Sequence, residues 1–171
     1  MTERYIDVAG GRLAVHDFGT GPAVVLLHAD IVDSWAWEPL TPFLLDAGYR
    51  VVAFDRRYLG GSRTDDVSYS NRADTIAVLD ALKLDRAALV GNSVGGQIAL
   101  DTAIEAPARV AALVTIGSIV PDWWPGMTPE EAVVEAELER VAESDDPDAI
   151  ADADVRAWVD GPGQPADRVP E

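Results

Sequence analysis

Apolar residues follow one regime up to about residue 120 and another beyond it. Arg4–Val8 and Arg12–Phe18 alternate apolar with polar positions and flank Gly10-Gly11, which predicts an antiparallel hairpin. Gly19-Thr20-Gly21-Pro22 then interrupts the chain. Ala23–His28, Tyr49–Phe54, Ala87–Gly91 and Ala111–Gly117 are nearly continuous apolar runs, the pattern of strands buried on both faces. Helical spacing fills the gaps between them. Ser34–Ala47 carries Trp35, Trp37, Leu40, Leu44 and Leu45 and is closed by Gly48. Asn71–Leu84 has Ser68 or Ser70 as its N-cap, and Val94–Ala106 is ended by Pro107. Such alternation predicts an α/β fold, a doubly wound and mostly parallel sheet with right-handed crossovers.

After Pro121 the pattern changes. Residues 121–127 form a bend rich in Pro and Trp, residues 129–143 and 147–158 read as helices, and Gly161-Pro162-Gly163 breaks the chain again. The expected division is therefore an α/β core over 1–120 and a helical segment over 121–171 that ends in a loop.

Charge sharpens this division. Of the net charge of −17, eleven units lie in residues 128–171, where 14 Asp and Glu face 3 Arg. A surface this acidic repels phosphate backbones, which argues against nucleic acid as a partner, and the acidic run itself reads as a solvated face. The chain has no cysteine, which excludes disulfides and thiolate chemistry. No stretch approaches the roughly 18–20 apolar residues of a membrane span, and the first residues lack a secretory pattern, so no membrane partner and a cytoplasmic location are expected.

The chemistry concentrates in Gly91-Asn92-Ser93-Val94-Gly95-Gly96, which ends one apolar strand and opens a helix. In that context the G-x-S-x-G spacing makes a sharp turn that projects the serine hydroxyl, with small residues at Gly91 and Gly95 because backbone passes close by. The helix start aims N–H groups and its positive dipole end at charge developing on a substrate.

Four features in this order resemble the α/β-hydrolase superfamily over about residues 4–120. They are the Gly10-Gly11 hairpin, Leu26-Leu27-His28-Ala29-Asp30, the loop Phe54-Asp55-Arg56-Arg57-Tyr58-Leu59-Gly60-Gly61-Ser62, and the serine turn. The resemblance implies an α/β-hydrolase sheet that is incomplete on its C-terminal side, followed by the start of a helical cap. It implies Ser93 as nucleophile and the backbone N–H groups of Val94 and Asp30 as oxyanion hole, with no metal and no organic cofactor. The chain departs from the family pattern where Ala29 and Asp30 replace a Gly and an apolar residue, and where Tyr58 replaces a Gly.

The family places its acid and histidine after the serine, but His16 and His28, the two histidines present, both precede Ser93. His16 reads as a surface or structural residue of the hairpin, and His28 as a shaper of the oxyanion loop. Asp122 is a possible acid. The expectation is a fragment of a longer serine hydrolase, inactive alone and completed by a C-terminal fragment that forms a second chain. Its substrate would be a small apolar ester or lactone. Trp35, Trp123 and Trp124 are expected either to wall the substrate pocket or to pack the cap against the core. The alternatives are a non-catalytic binding protein, or the same scaffold used for carbon–carbon cleavage or acyl transfer.

Overall fold

Val8 sits opposite Gly11 across a two-residue turn at Ala9-Gly10, where Gly10 takes φ 72°. The structure, a computed structural model, describes residues 3–120, 126–144 and 146–165. Among these, the strands are β1 (Glu3–Val8), β2 (Gly11–Phe18), β3 (Ala23–Leu27), β4 (Arg50–Phe54), β5 (Arg63–Thr64), β6 (Ala87–Asn92) and β7 (Val110–Ile116). They form one sheet in the order β1-β2-β4-β3-β6-β7, with β5 attached to β2. The hairpin joins β4 antiparallel, and β4, β3, β6 and β7 run parallel.

The apolar runs are two-faced for a visible reason. Alternate residues of β3 and β4 enter opposite cores. Val25, Leu27, Val52 and Phe54 pack with Val78 and Leu79 of α2 (Asn71–Ala81) and Ile98 and Ala99 of α3 (Val94–Glu105). Val24, Leu26, Val51 and Ala53 pack with Trp37 and with Leu44 and Leu45. Each fully buried side chain of this size contributes about 1.5–3 kcal/mol. The edge strand β7 differs from the others. Its single neighbour among the described residues is β6, and Leu113, Val114 and Ile116 are 39%, 50% and 47% exposed.

Two elements depart from the sequence pattern. Ser34–Ala47 is not one helix but a tight turn at Ser34–Trp37 followed by α1 (Thr41–Asp46), which precedes α2 in the chain. Pro39 and Pro42 lack the N–H groups a continuous helix needs, and Pro42 instead sits at the start of α1. Asp33 caps the first turn by accepting from the Trp35 N–H. In α2 the cap is Ser70, and the helix stops at Ala81 because Lys83 takes φ 55°.

Met1–Trp123 and Trp124–Glu171 are two compact units. In the second, α4 (Pro129–Ala142) opens with a reciprocal pair, Thr128 with the Glu131 N–H and the Glu131 carboxylate with the Thr128 N–H. Asp146 caps α5 (Pro147–Asp154), and residues 155–160 continue it as a wider π-type turn. Val141, Ala153 and Ala157 are its buried apolar residues. No helix among the described residues is long and apolar enough to cross a membrane. Asp122, Trp123 and Trp124 lie outside the described residues.

Candidate active site

Ser93 lies between β6 and α3 with φ 51° and ψ −120°, a conformation that strains any residue with a Cβ. Its N–H donates to the Ile116 carbonyl at 2.9 Å, so β7 holds the turn from below. The glycines around it leave no alternative. A Cβ on Gly91 would run into the Gly95 carbonyl, and one on Gly95 into the Leu27 and His28 carbonyls. Gly96 is a third such position, since a Cβ there would collide with the Ser118 hydroxyl. The Gly95-Gly96 pair carried that signal in the sequence, but only the contact with Ser118 makes it specific.

Val94 is the first residue of α3, where an N–H has no partner inside the helix. Among the described residues, neither the Val94 nor the Asp30 N–H donates a hydrogen bond to the protein. The loop that carries Asp30 is clamped from Arg56, which sequence reasoning missed. The Arg56 Nη2 donates to the Ala29 carbonyl at 3.1 Å and to the Asp30 Oδ1 at 2.8 Å. The Asp30 side chain stays 69% exposed, while that of Arg56 is 7% exposed.

Both nitrogens of the buried His28 are engaged. Nε2 accepts from the Arg56 N–H at 3.1 Å, so Nδ1 carries the proton and donates to the Ala29 carbonyl at 2.7 Å. Burial lowers its pKa below the ordinary 6.5, and Arg56 adds to the effect while the Ala29 bond opposes it. A histidine so fixed cannot accept a proton from Ser93. His16 is no better placed, lying with its ring against Phe18 and Trp35 at centroid separations of 6.5 and 5.5 Å.

Below the site, the Asp55 carboxylate accepts from the Ser34 N–H at 2.9 Å and the Gly61 N–H at 2.6 Å. The Ser62 hydroxyl donates to the Asp55 carbonyl and accepts from the Ala14 N–H. Arg57 forms a two-pronged pair with Asp74 at 2.6 and 2.9 Å, and that carboxylate is the main reason its pKa is raised. The loop from Asp55 to Ser62 is thus a polar lock that ties β4, β2 and α2 together. Among the described residues no three His, Asp or Glu come together as a metal would require.

Trp35 lines a cavity with His16 and Phe18 to which Ser93, Val94 and Asp30 contribute nothing. Trp123 and Trp124 lie outside the described residues.

The model of the alpha/beta hydrolase fold family matches residues 22–158. The chain is 41% identical over 122 residues to a 2-hydroxymuconate semialdehyde hydrolase of Pseudomonas sp. (strain CF600), a match over 67% of this chain and 43% of that protein. It is 34% identical over 122 residues to epoxide hydrolase A of Mycobacterium tuberculosis, over 67% and 38% of the two chains. The solved esterase of Exiguobacterium antarcticum superposes with a TM-score of 0.70 at 28% identity, over 84% of this chain and 57% of that one. The match therefore spans less than half the length of these two curated relatives.

Proposed function

The chain belongs to the alpha/beta hydrolase fold family, and from that premise we propose that it is the nucleophile-bearing part of a serine hydrolase for small apolar esters or lactones. The Ser93 hydroxyl attacks the substrate carbonyl carbon while its proton passes to a base. The resulting oxyanion accepts hydrogen bonds from the N–H groups of Val94 and Asp30. The leaving alcohol departs with that proton, and water then hydrolyses the acyl-serine to release a carboxylic acid and restore Ser93. The observation that carries this reading is the strained backbone of Ser93, φ 51° at the mouth of α3, which a non-catalytic binding protein would have no reason to keep. The solved esterase supports the ester assignment.

The base comes from outside residues 1–171. His28 and His16 are both occupied, and a serine without its base loses about 10⁴- to 10⁶-fold in rate. A C-terminal segment carrying an acid and a histidine, present as a second chain, pairs with the exposed edge of β7 and completes the site.

The test is the intact mass of the native preparation together with its hydrolysis of p-nitrophenyl butyrate and γ-butyrolactone. A second polypeptide containing a histidine, with activity that Ser93→Ala abolishes, is the expected result. Full, Ser93-dependent activity from the 18.3 kDa chain alone would refute the completion. Activity that survives Ser93→Ala would refute the nucleophile.

A further inference from the structure

A cavity of about 190 Å³ opens between β2, β4 and the segment from Ser34 to Leu45. It exceeds the roughly 150 Å³ apolar cavity that admits a benzene-sized guest. It is independent of the reaction proposed above, since Ser93, Val94 and Asp30 do not line it.

Its walls combine three features that point to one kind of guest. His16 and Phe18, two apart on β2, project to the same side, with ring planes 7° apart. Trp35 leans across His16 at 54°, so three rings border one opening. The charged side chain in the lining is a carboxylate, Glu38, and no Lys or Arg accompanies it. Ser34, 4% exposed, also lines the cavity, and its buried hydroxyl has no hydrogen-bond partner. The neighbouring Thr41 hydroxyl is already committed to the Trp37 carbonyl.

We propose that this cavity binds a small organic cation, an alkylammonium head with a short hydroxylated arm. The faces of Trp35 and Phe18 attract a cation through their quadrupole, Trp most strongly. Glu38 supplies the counter-charge at the mouth, and Ser34 gives the arm a partner. Residues 1–127, which hold the cavity, carry a net charge of −6, which favours cations over competing anions there. Trp35, 48% exposed, covers part of its own exposed face when the guest enters.

The experiment compares choline with its uncharged isostere 3,3-dimethyl-1-butanol on the full chain, at sodium chloride matched to the choline concentration. Binding is read from tryptophan fluorescence and from the Trp35 indole N–H resonance. Choline should saturate the signal and bind about tenfold more tightly than the isostere. Glu38→Gln, an exposed position that leaves the fold intact, should weaken choline about fivefold and leave the isostere within about twofold. Ala53→Leu, which fills the cavity, should abolish both, with circular dichroism reporting that the sheet persists. Equal affinity for the two compounds, or insensitivity of choline to Glu38→Gln, would reduce the site to an apolar hole and overturn the proposal. So would the absence of saturable binding.

Discussion

Arg56 donates to the Asp30 carboxylate at 2.8 Å and, from the same nitrogen, to the Ala29 carbonyl at 3.1 Å. An acidic residue beside an oxyanion hole would repel the charge that the hole must stabilise. The pair draws the carboxylate onto a guanidinium, which in the reaction proposed above leaves the Asp30 N–H to serve the oxyanion. Arg56 is on this account a positioning residue. In the completed hydrolase proposed above, Arg56→Met should lower kcat by about 10- to 100-fold with KM within about twofold, because a loop displaced by about 1 Å loses alignment rather than binding. Asp30→Asn keeps an acceptor for Arg56 and should stay within about threefold. Steady-state kinetics on both variants check this, and equal losses in the two would refute the division of roles.

The glycines of the serine turn differ from those elsewhere in what stands against them. A Cβ on Gly95 would lie 2.7 Å from the His28 carbonyl and closer still to that of Leu27, both rigid backbone. Gly48 takes φ 84° with nothing within 4 Å of such a Cβ. Gly95→Ala should therefore cost about 2–3 kcal/mol through forced backbone movement, and Gly48→Ala about 1 kcal/mol through its dihedral alone. Urea denaturation of the two variants measures the difference directly.

His28 makes stability depend on pH. Its folded pKa is lowered by burial, so the unfolded chain binds the proton more readily. The stability it contributes is complete above about pH 6.5 and declines as pH falls from there toward the folded pKa. The wild-type protein should lose stability between pH 7.5 and 5.5, before most carboxylates titrate. His28→Gln should be less stable at pH 7.5 but flatter across that window. Urea midpoints at the two pH values give the slope, and an unchanged slope in the variant would place the titrating group elsewhere.

These relationships mark where the sequence was readable. Val24 and Val25 enter different cores, so a continuous apolar run was enough to announce a two-faced strand, and Gly91 and Gly95 announced the turn by spacing alone. Tyr58 shows the limit. It holds φ 67° at a position where its resemblance to the family expects Gly, and its cost is offset by an edge contact with Tyr69 at 5.8 Å and a bond to the Asp65 carbonyl. Both partners are set by loop geometry rather than by any period. The Arg56 clamp joins residues 26 apart through a side chain and a carbonyl, and nothing in local pattern encodes it. The break at Pro39 and Pro42 was encoded, but the apolar spacing of Trp35, Trp37 and Leu40 hid it.

The strain at Ser93 has a measurable consequence for stability. Ser93 occupies φ 51° and ψ −120°, where a Cβ is crowded and a glycine is not. Its backbone is held there by the Ile116 carbonyl and by the closely packed Gly91 and Gly95, so the chain cannot relax while serine remains. Replacing the side chain without removing the Cβ leaves the strain in place, and removing the Cβ releases it. Ser93→Ala should then be nearly neutral in stability, whereas Ser93→Gly should gain about 1 kcal/mol, or about 2–4 °C in Tm for a chain of this size. Unfolding entropy works against the glycine, which makes a positive result a lower bound on the strain. Both variants remove the hydroxyl, so the contrast between them isolates backbone conformation from its loss. Differential scanning calorimetry on the three proteins decides the matter. A glycine variant less stable than the alanine variant by more than the roughly 1 kcal/mol of unfolding entropy would mean that the turn is relaxed, and the argument that its geometry persists for catalysis would fail with it.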